Sequence, residues 1–393
     1  MRFVALDGLR GTCALIVALL HFTDYGRLTP GPFIDHSYVF VDFFFVLSGF
    51  VIAHAFYGDL DKPLASATFM LRRFGRLYPL HLFVLALWLG LEVAKWLAVS
   101  HGAVAAVAPF VGRTSPEALV SNLLLAQSLG LHDRLTWNYP SWSISVEFYT
   151  YLIFALVMLA VASLGPRVRM AAIATGIALG AVGTLWLLSR GNIMTYDTGI
   201  VRCVYGFFTG VLVQRLYAER ASSGRRLGKL TGSLLELTTI ALILVYEIYG
   251  EMDRLLFFAP LMFGFATFVF AEEAGVVSDL LKSRPFRALG DWSYSIYMVH
   301  AFVLINLVGR GAAGAAKLFH IDLGTLADGD GGTLMGALYA HNGLSAAGLV
   351  AAYVAATLAA SSLTFRYVEV PSRTFFNRLA SRLYRRRAMP AAA

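Results

Sequence analysis

The sequence is short of charge and of cysteine. Only 14% of its 393 residues are charged, 58% are hydrophobic and the mean hydropathy is +0.66, which excludes an ordinary soluble globule. Its two cysteines, Cys13 and Cys203, sit inside apolar stretches without a spacing pattern, which excludes a disulfide framework and a cysteine-based zinc site. No small-residue cleavage pattern follows the first apolar run before Pro30, so that run is read as retained, not as a signal peptide. The net charge of +8 comes without aromatic interleaving or a basic recognition element, which removes nucleic acid as its explanation. Internal repeats are not visible either.

What the chain does have is apolar runs. A membrane span takes roughly 20 such residues, and ten stretches qualify, centred near residues 16, 48, 88, 152, 179, 208, 241, 262, 301 and 355. The expected fold is all-α, a polytopic membrane helical bundle of about ten transmembrane helices. One membrane domain is expected over 1–375 and a basic tail over 376–393. With a cytoplasmic N-terminus and alternating spans, 23 of the 32 Lys and Arg residues fall on the cytoplasmic side, so both termini are expected there. EALVSNLLLAQSLG (117–130) is short for a span, and counting it would turn the basic segments 215–229 and 366–387 outward. It is expected as an interfacial or re-entrant helix in an outer loop. Residues 311–342, with DGDGG at 328–332 failing the calcium-loop spacing, are expected as a second outer loop.

Polar groups inside these runs need a partner or a task, because a charged side chain at the bilayer centre costs about 2.5–3.5 kcal/mol on insertion scales. LDGLRGTCALIVALLHF (6–22) carries Arg10 and His21. Eleven positions at about 100° each put both on nearly one helix face, roughly 16 Å apart along the axis. FVDFFFVLSGFVIAHAF (40–56) holds Asp42 and Ser48. His54 and Asp59 match the HxxxxD spacing of soluble glycerolipid acyltransferases, a pattern that nine histidines readily produce by chance. RRFGRLYPLH (72–81) gathers Arg72, Arg73 and Arg76 ahead of Tyr78, either as a membrane anchor or as forks for a phosphate-rich ligand. NYPSWSISVEFYTYLIF (138–154) sets Glu147 among Trp142, Ser143 and Tyr151; its expected partner is His21, at similar depth, or Arg202. GDWSYSIYMVH (290–300) adds hydroxyls and His300, and RYVEVPSR (366–373) adds Glu369.

Taken in order, LDGLRG with the arginine–histidine pair, VDFFFVLSGF (41–50), RRFGRLYPL (72–80), PSWSISVEFYTY (140–151), LGDWSYSIYMVH (289–300) and FRYVEVP (365–371) resemble the acyltransferase 3 family of integral membrane O-acyltransferases over nearly the whole chain. The resemblance implies transfer of an acyl group, chiefly acetyl, from cytoplasmic acyl-CoA to a hydroxyl of a carbohydrate or lipid-linked glycan, in the bacterial inner membrane. Acyl-CoA is then a co-substrate, with no tightly bound cofactor and no metal. Arg10 and His21 match the family's essential pair, and Glu147 matches the glutamate of its tryptophan–serine motif. FYTY follows where many members have EQFY, which keeps Tyr151 and leaves acceptor preference open.

In the implied arrangement Arg10, Arg72, Arg73 and Arg76, with Tyr78, hold the CoA phosphates while the pantetheine arm runs along the first helix. His21, oriented by Glu147 or by Asp24, acts as general base or carries the acyl group covalently. Asp42, Ser48, Trp142, Ser143, Tyr151 and His300 are expected along the substrate path. Many members carry a hydrolase-like domain after the tenth span; this sequence ends at Ala393, so transfer is expected in or beside the membrane domain. The rival reading, a proton-coupled transporter or glycan flippase, would also use an intramembrane His, Glu and Arg. Its inverted repeats and broken helices are not visible in the sequence.

Overall fold

In a hydrocarbon solvent each backbone N–H and C=O has to be satisfied within its own segment, and the apolar stretches accordingly form helices. The computed structural model describes residues 2–26, 31–105, 107–224, 227–320 and 343–388; the side chains of 23–26, 253, 313, 316, 317, 343–346 and 385–388 lie outside the described set. In chain order the helices are α1 (Val4–Gly26), α2 (Pro32–Asp35), α3 (Phe40–Phe56), α4 (Pro63–Ser100), α5 (Pro116–Leu123), α6 (Trp142–Ala160), α7 (Pro166–Leu188) and α8 (Gly199–Ser222). They continue with α9 (Lys229–Tyr249), α10 (Met252–Ala271), α11 (Val276–Leu281), α12 (Arg284–Phe302), α13 (Arg310–Leu318), α14 (Gly343–Thr364) and α15 (Val370–Ala388). No strand occurs among the described residues. Wider π-type turns at Val303–Gly309 and Phe365–Glu369 lead into α13 and α15.

Among the described residues nine helical stretches are long and apolar enough to cross a membrane, from Val4–Phe22 to Ala347–Tyr384. The protein is a polytopic helical membrane bundle. The tenth expected stretch is α8, which is not among those nine yet runs 24 residues through the bundle against α3, α6, α7 and α10. A helix sheathed by other helices needs no lipid-facing apolar surface and can carry Arg202 and Gln214 inside.

Glycines decide how the helices meet. Helices α1 and α12 run parallel, with Gly11 against the Leu289–Gly290 backbone and Gly290 against the Asp7 carbonyl, while Gly8 meets the Leu281 carbonyl at the end of α11; any Cβ at these positions would overlap. Gly49 of α3 lies under the Phe207 carbonyl of α8, and Gly210 of α8 lies under that of Val46. Small residues are what permit such backbone approach in membrane helices. The α3–α8 pair is also tied by a bidentate ion pair: Arg202 donates from Nε to Asp42 Oδ1 at 2.8 Å and from Nη2 to Oδ2 at 2.6 Å. Both side chains are buried, 3% and 0% exposed.

The stretch 117–130 is not one helix. The eight residues of α5 are capped by Ser115, and the chain then turns irregular, with Leu125 at φ 56°. Its carbonyls are satisfied by the bundle: Tyr78 OH donates to Leu123 O, Tyr149 OH to Leu124 O and Ser145 Oγ to Leu125 O. Irregular backbone beside spanning helices is tolerated when protein supplies its hydrogen bonds. Residue 375 falls within α15, which lies along α4 with Arg72 donating to Ser381 Oγ at 3.3 Å. Residues 321–342, including the DGDGG run, and 389–393 lie outside the described residues.

Candidate functional site

A cavity of about 430 Å³ opens between α1, α3, α4, α6 and α12, with Phe365, Glu369 and Arg373 closing one side. That volume is in the range of a small-molecule site. Its outer end is charged and partly exposed. Arg2 donates to Asp7 and to Asp291, both at 2.6 Å, and Asp7 also lies 3.2 Å from Arg10. Arg10 is held further by Ser293 Oγ at 2.8 Å and Gly290 O at 3.1 Å. The first turns of α1 and α12 thereby present the Arg10 guanidinium to the cavity.

Three further arginines line the wall: Arg73 and Arg76 from α4 and Arg373 from α15. No ion pair within 4 Å engages any of the three among the described residues. Arg73 lies against Phe56 and Phe69, 5.6 and 5.9 Å from the ring centroids, and its Nε is buried without a hydrogen bond. Glu369 accepts from Ser295 at 3.2 Å and faces the same space. None of the three has a carboxylate in direct contact, while Glu369 acts on Arg76 and Arg373 through space; guanidinium forks of this kind are suited to anionic, phosphate-bearing groups.

Deeper in, Ser48, Tyr151 and Glu147 form a chain. Tyr151 OH donates to Glu147 Oε1 at 2.5 Å and lies 2.8 Å from Ser48 Oγ. A tyrosine has one proton to give, so Ser48 donates to Tyr151 and keeps its lone pairs for the cavity. Ser143 Oγ donates to Tyr297 OH at 2.9 Å, and both side chains line the innermost part. Behind Tyr297, at 5.9 Å between ring centroids, is His300; its ring stacks on His21 at 5.2 Å with 10° between planes. His300 is fully buried, with Nδ1 on Ile296 O at 3.2 Å and Nε2 without a partner among the described residues. Tyr139 meets His21 edge-on at 5.0 Å.

The residues singled out in the sequence thus divide. Arg10, Arg73, Arg76, Ser48, Ser143, Glu147 and Tyr151 share the cavity, and His21 and His300 form a pair beyond its Tyr297 wall. Arg72 turns to α15, and Tyr78 stacks on Phe74 and bonds Leu123 O, so neither faces the cavity. Asp42 pairs with Arg202, whose guanidinium lies 5.6 Å from the Trp142 ring, and none of the three lines the cavity. Glu147 pairs with neither expected partner: Arg202 is taken by Asp42, and no hydrogen bond joins Glu147 to His21. The Asp24 side chain lies outside the described residues. Among those residues no group of three or more His, Cys, Asp or Glu has the geometry to hold a metal ion.

Sequence reasoning did not single out Arg2, Asp7, Asp291, Ser293 and Arg373, which complete the outer end. Each stands near the edge of an apolar run, where a charge reads as an anchor. The available signal was the i, i+3 placing of Asp7 and Arg10 on α1, which puts a carboxylate beside the arginine.

Comparison with known proteins fits this geometry. A protein named acyltransferase MdmB, from Streptomyces mycarofaciens, is 27% identical over 350 residues, 77% of this chain and 79% of its own. YrhL of Bacillus subtilis (strain 168), named a candidate peptidoglycan O-acetyltransferase, is 26% identical over 336 residues, 81% of this chain and 51% of its own. Protein 2 in the picA locus of Rhizobium radiobacter is 44% identical over 87 residues, 22% of this chain and 44% of its own. The chain thus spans about half the length of two of these three relatives. No solved structure matches. The profile of the acyltransferase 3 family, described as an acyltransferase domain, matches residues 3–366, and the chain belongs to that family.

Proposed function

We propose that this protein is an integral membrane O-acyltransferase that moves an acyl group, acetyl in the first instance, from acyl-CoA to a hydroxyl of a carbohydrate or lipid-linked glycan. The observation that carries the reading is the cavity: three arginines with no carboxylate in ion-pair contact among the described residues, and Arg10, line it, and its inner wall ends at the residues in front of the His21–His300 pair. The donor's phosphates bind Arg10, Arg73, Arg76 and Arg373. Its narrow arm follows α1 inward past Ser48 and Tyr151, over the roughly 16 Å of helix that separate Arg10 from His21.

His21 is the proposed base for the acceptor hydroxyl, taking its proton as the oxygen attacks the thioester carbonyl and returning it to the CoA sulfur as the carbon–sulfur bond breaks and the thiol leaves, a contribution typically worth 10²–10⁴-fold. His300, fully buried against it, fixes the ring plane of His21. Glu147 acts within the cavity, aligning Tyr151 and through it Ser48, which leaves Ser48 Oγ to accept a hydrogen bond from substrate. Both termini are proposed to be cytoplasmic in a bacterial inner membrane, so that the basic outer end meets acyl-CoA. The name of YrhL supports a cell-wall carbohydrate as the acceptor class.

The test is purified full-length protein given radiolabelled acetyl-CoA and a panel of glycans, with wild type and His21→Ala compared at matched monodispersity. Label transferred by wild type and lost in the variant supports the reading. Transfer that is indifferent to His21 removes the base, and no transfer to any hydroxyl acceptor removes the activity. Reporter fusions at the C-terminus and near residue 330 test the orientation, since a cytoplasmic signal at 330 contradicts it.

A further inference from the structure

A second cavity lies apart from the one described. About 470 Å³ in volume, it is walled by Tyr57 after α3, by Arg167, Arg169 and Met170 at the start of α7, and by Arg215 and Glu219 near the end of α8. Arg215 is half-buried, its guanidinium carbon 4.5 Å from the Tyr57 ring centroid, and it forms no ion pair or hydrogen bond among the described residues. Its Nε is buried without a partner, and so is that of Arg169. Arg169 spends its Nη2 on Ala162 O at 2.6 Å, which folds the α6–α7 turn around the cavity. Glu219, the carboxylate in the lining, lies beyond 4 Å of all three arginines.

A guanidinium drawn out of water without a counter-charge is costly, and a buried N–H without an acceptor is costly again. Here Arg169 and Arg215, each half-buried with an unused buried N–H group, share one small space with the exposed Arg167, and the described lining offers one carboxylate, out of ion-pair reach. Depth is fixed independently: one candidate span ends at Phe56, the residue before Tyr57, and another begins at Pro166, so the cavity sits where the apolar stretches stop. Leu164 and Val168 beside it are exposed, as suits residues at the boundary of headgroups and acyl chains.

We propose that this cavity binds a phosphate-bearing anion at the membrane surface, with Arg167, Arg169 and Arg215 taking the phosphate oxygens and Tyr57 backing Arg215. An anionic lipid headgroup and a free phosphate share this chemistry, and the experiment separates them. The proposal stands on its own observations and does not depend on the acyltransferase reading.

Full-length protein in neutral detergent is titrated with dioleoylphosphatidylglycerol, with dioleoylphosphatidylcholine and with inorganic phosphate. Retained ligand is counted by native mass spectrometry, and Tm is followed. Phosphatidylglycerol is expected to be retained and to raise Tm while phosphatidylcholine does neither. Arg167→Gln/Arg215→Gln should lower its apparent affinity by about tenfold or more. Arg167→Gln alone, at an exposed position, covers the case in which the double variant does not fold, and should give a smaller loss of the same sign. Arg378→Gln on α15, outside the cavity, should change nothing. Phosphate binding that is lost in the same variants, with indifference to phosphatidylglycerol, assigns the cavity to a free anion. Equal responses in wild type and the cavity variants, an equal loss in Arg378→Gln, or no response of wild type to either anion overturns the proposal.

Discussion

Two of the arginine–aspartate systems among the described residues differ in everything except chemistry. Arg202 and Asp42 meet bidentately with 3% and 0% of their side chains exposed. Arg2, Asp7, Arg10 and Asp291 form an open chain at the outer end of the cavity, where Arg2 is 59% exposed. Removing one partner of a buried pair strands a charge in a low-dielectric interior, a loss of about 3–5 kcal/mol. Removing one member of the open chain leaves the others in reach of water and of each other, where such a pair is worth about 0–1 kcal/mol. The first system holds helices together, and the second can exchange its partners for those of a ligand.

Four measurements bear on that contrast, beginning with the largest effect. Asp42→Ala should lower the stability of the purified protein by about 3–5 kcal/mol, seen as a large fall in Tm, while Asp42→Leu/Arg202→Met should recover most of it. A double variant as unstable as the single one would mean that the pair is not what Asp42 contributes. His21→Ala should leave Tm near wild type and reduce acyl transfer by at least about 100-fold, a purely chemical loss. Glu147→Gln weakens the acceptor of the Tyr151 hydrogen bond without deleting it, so turnover should fall by about tenfold with the pH profile unchanged in shape; an unaltered kcat would detach the Ser48–Tyr151–Glu147 chain from catalysis. Arg76→Gln should raise the KM for acyl-CoA several-fold, and Arg72→Gln, which faces α15, should leave it within about twofold; equal effects would return the cluster to a membrane anchor.

Much of the fold was legible because one solvent property, the lack of water inside a bilayer, dictates helix wherever the chain stays apolar for long enough. Even α8 was legible from its length, although Arg202 lowers its hydropathy. The partners were not. Glu147 and Asp42 both needed a cation by the same argument, and Arg202 stood at the right depth for either. Depth follows from position along a helix, but the choice between two candidates depends on which helices are neighbours, and contacts 160 residues apart leave no mark on local periodicity. Helical geometry alone does not divide the RRFGR cluster: Arg76 lies about 60° around the helix from Arg73 and only about 40° from Arg72, yet Arg73 and Arg76 line the cavity while Arg72 turns to Ser381 of α15. Which of the three lines the cavity could be known only once α15 had been placed.

The glycine seam between α1 and α12 has a mechanical consequence. With Gly8, Gly11 and Gly290 set backbone to backbone, the two helices cannot slide without collision and behave as one rail. That rail carries Arg10 with its Ser293 clamp at one station and His21 with His300 at the other. The interval between the stations is therefore a fixed ruler rather than an adjustable tether. A ligand of another length must be accommodated by the opposite wall, which α3, α4 and α6 line.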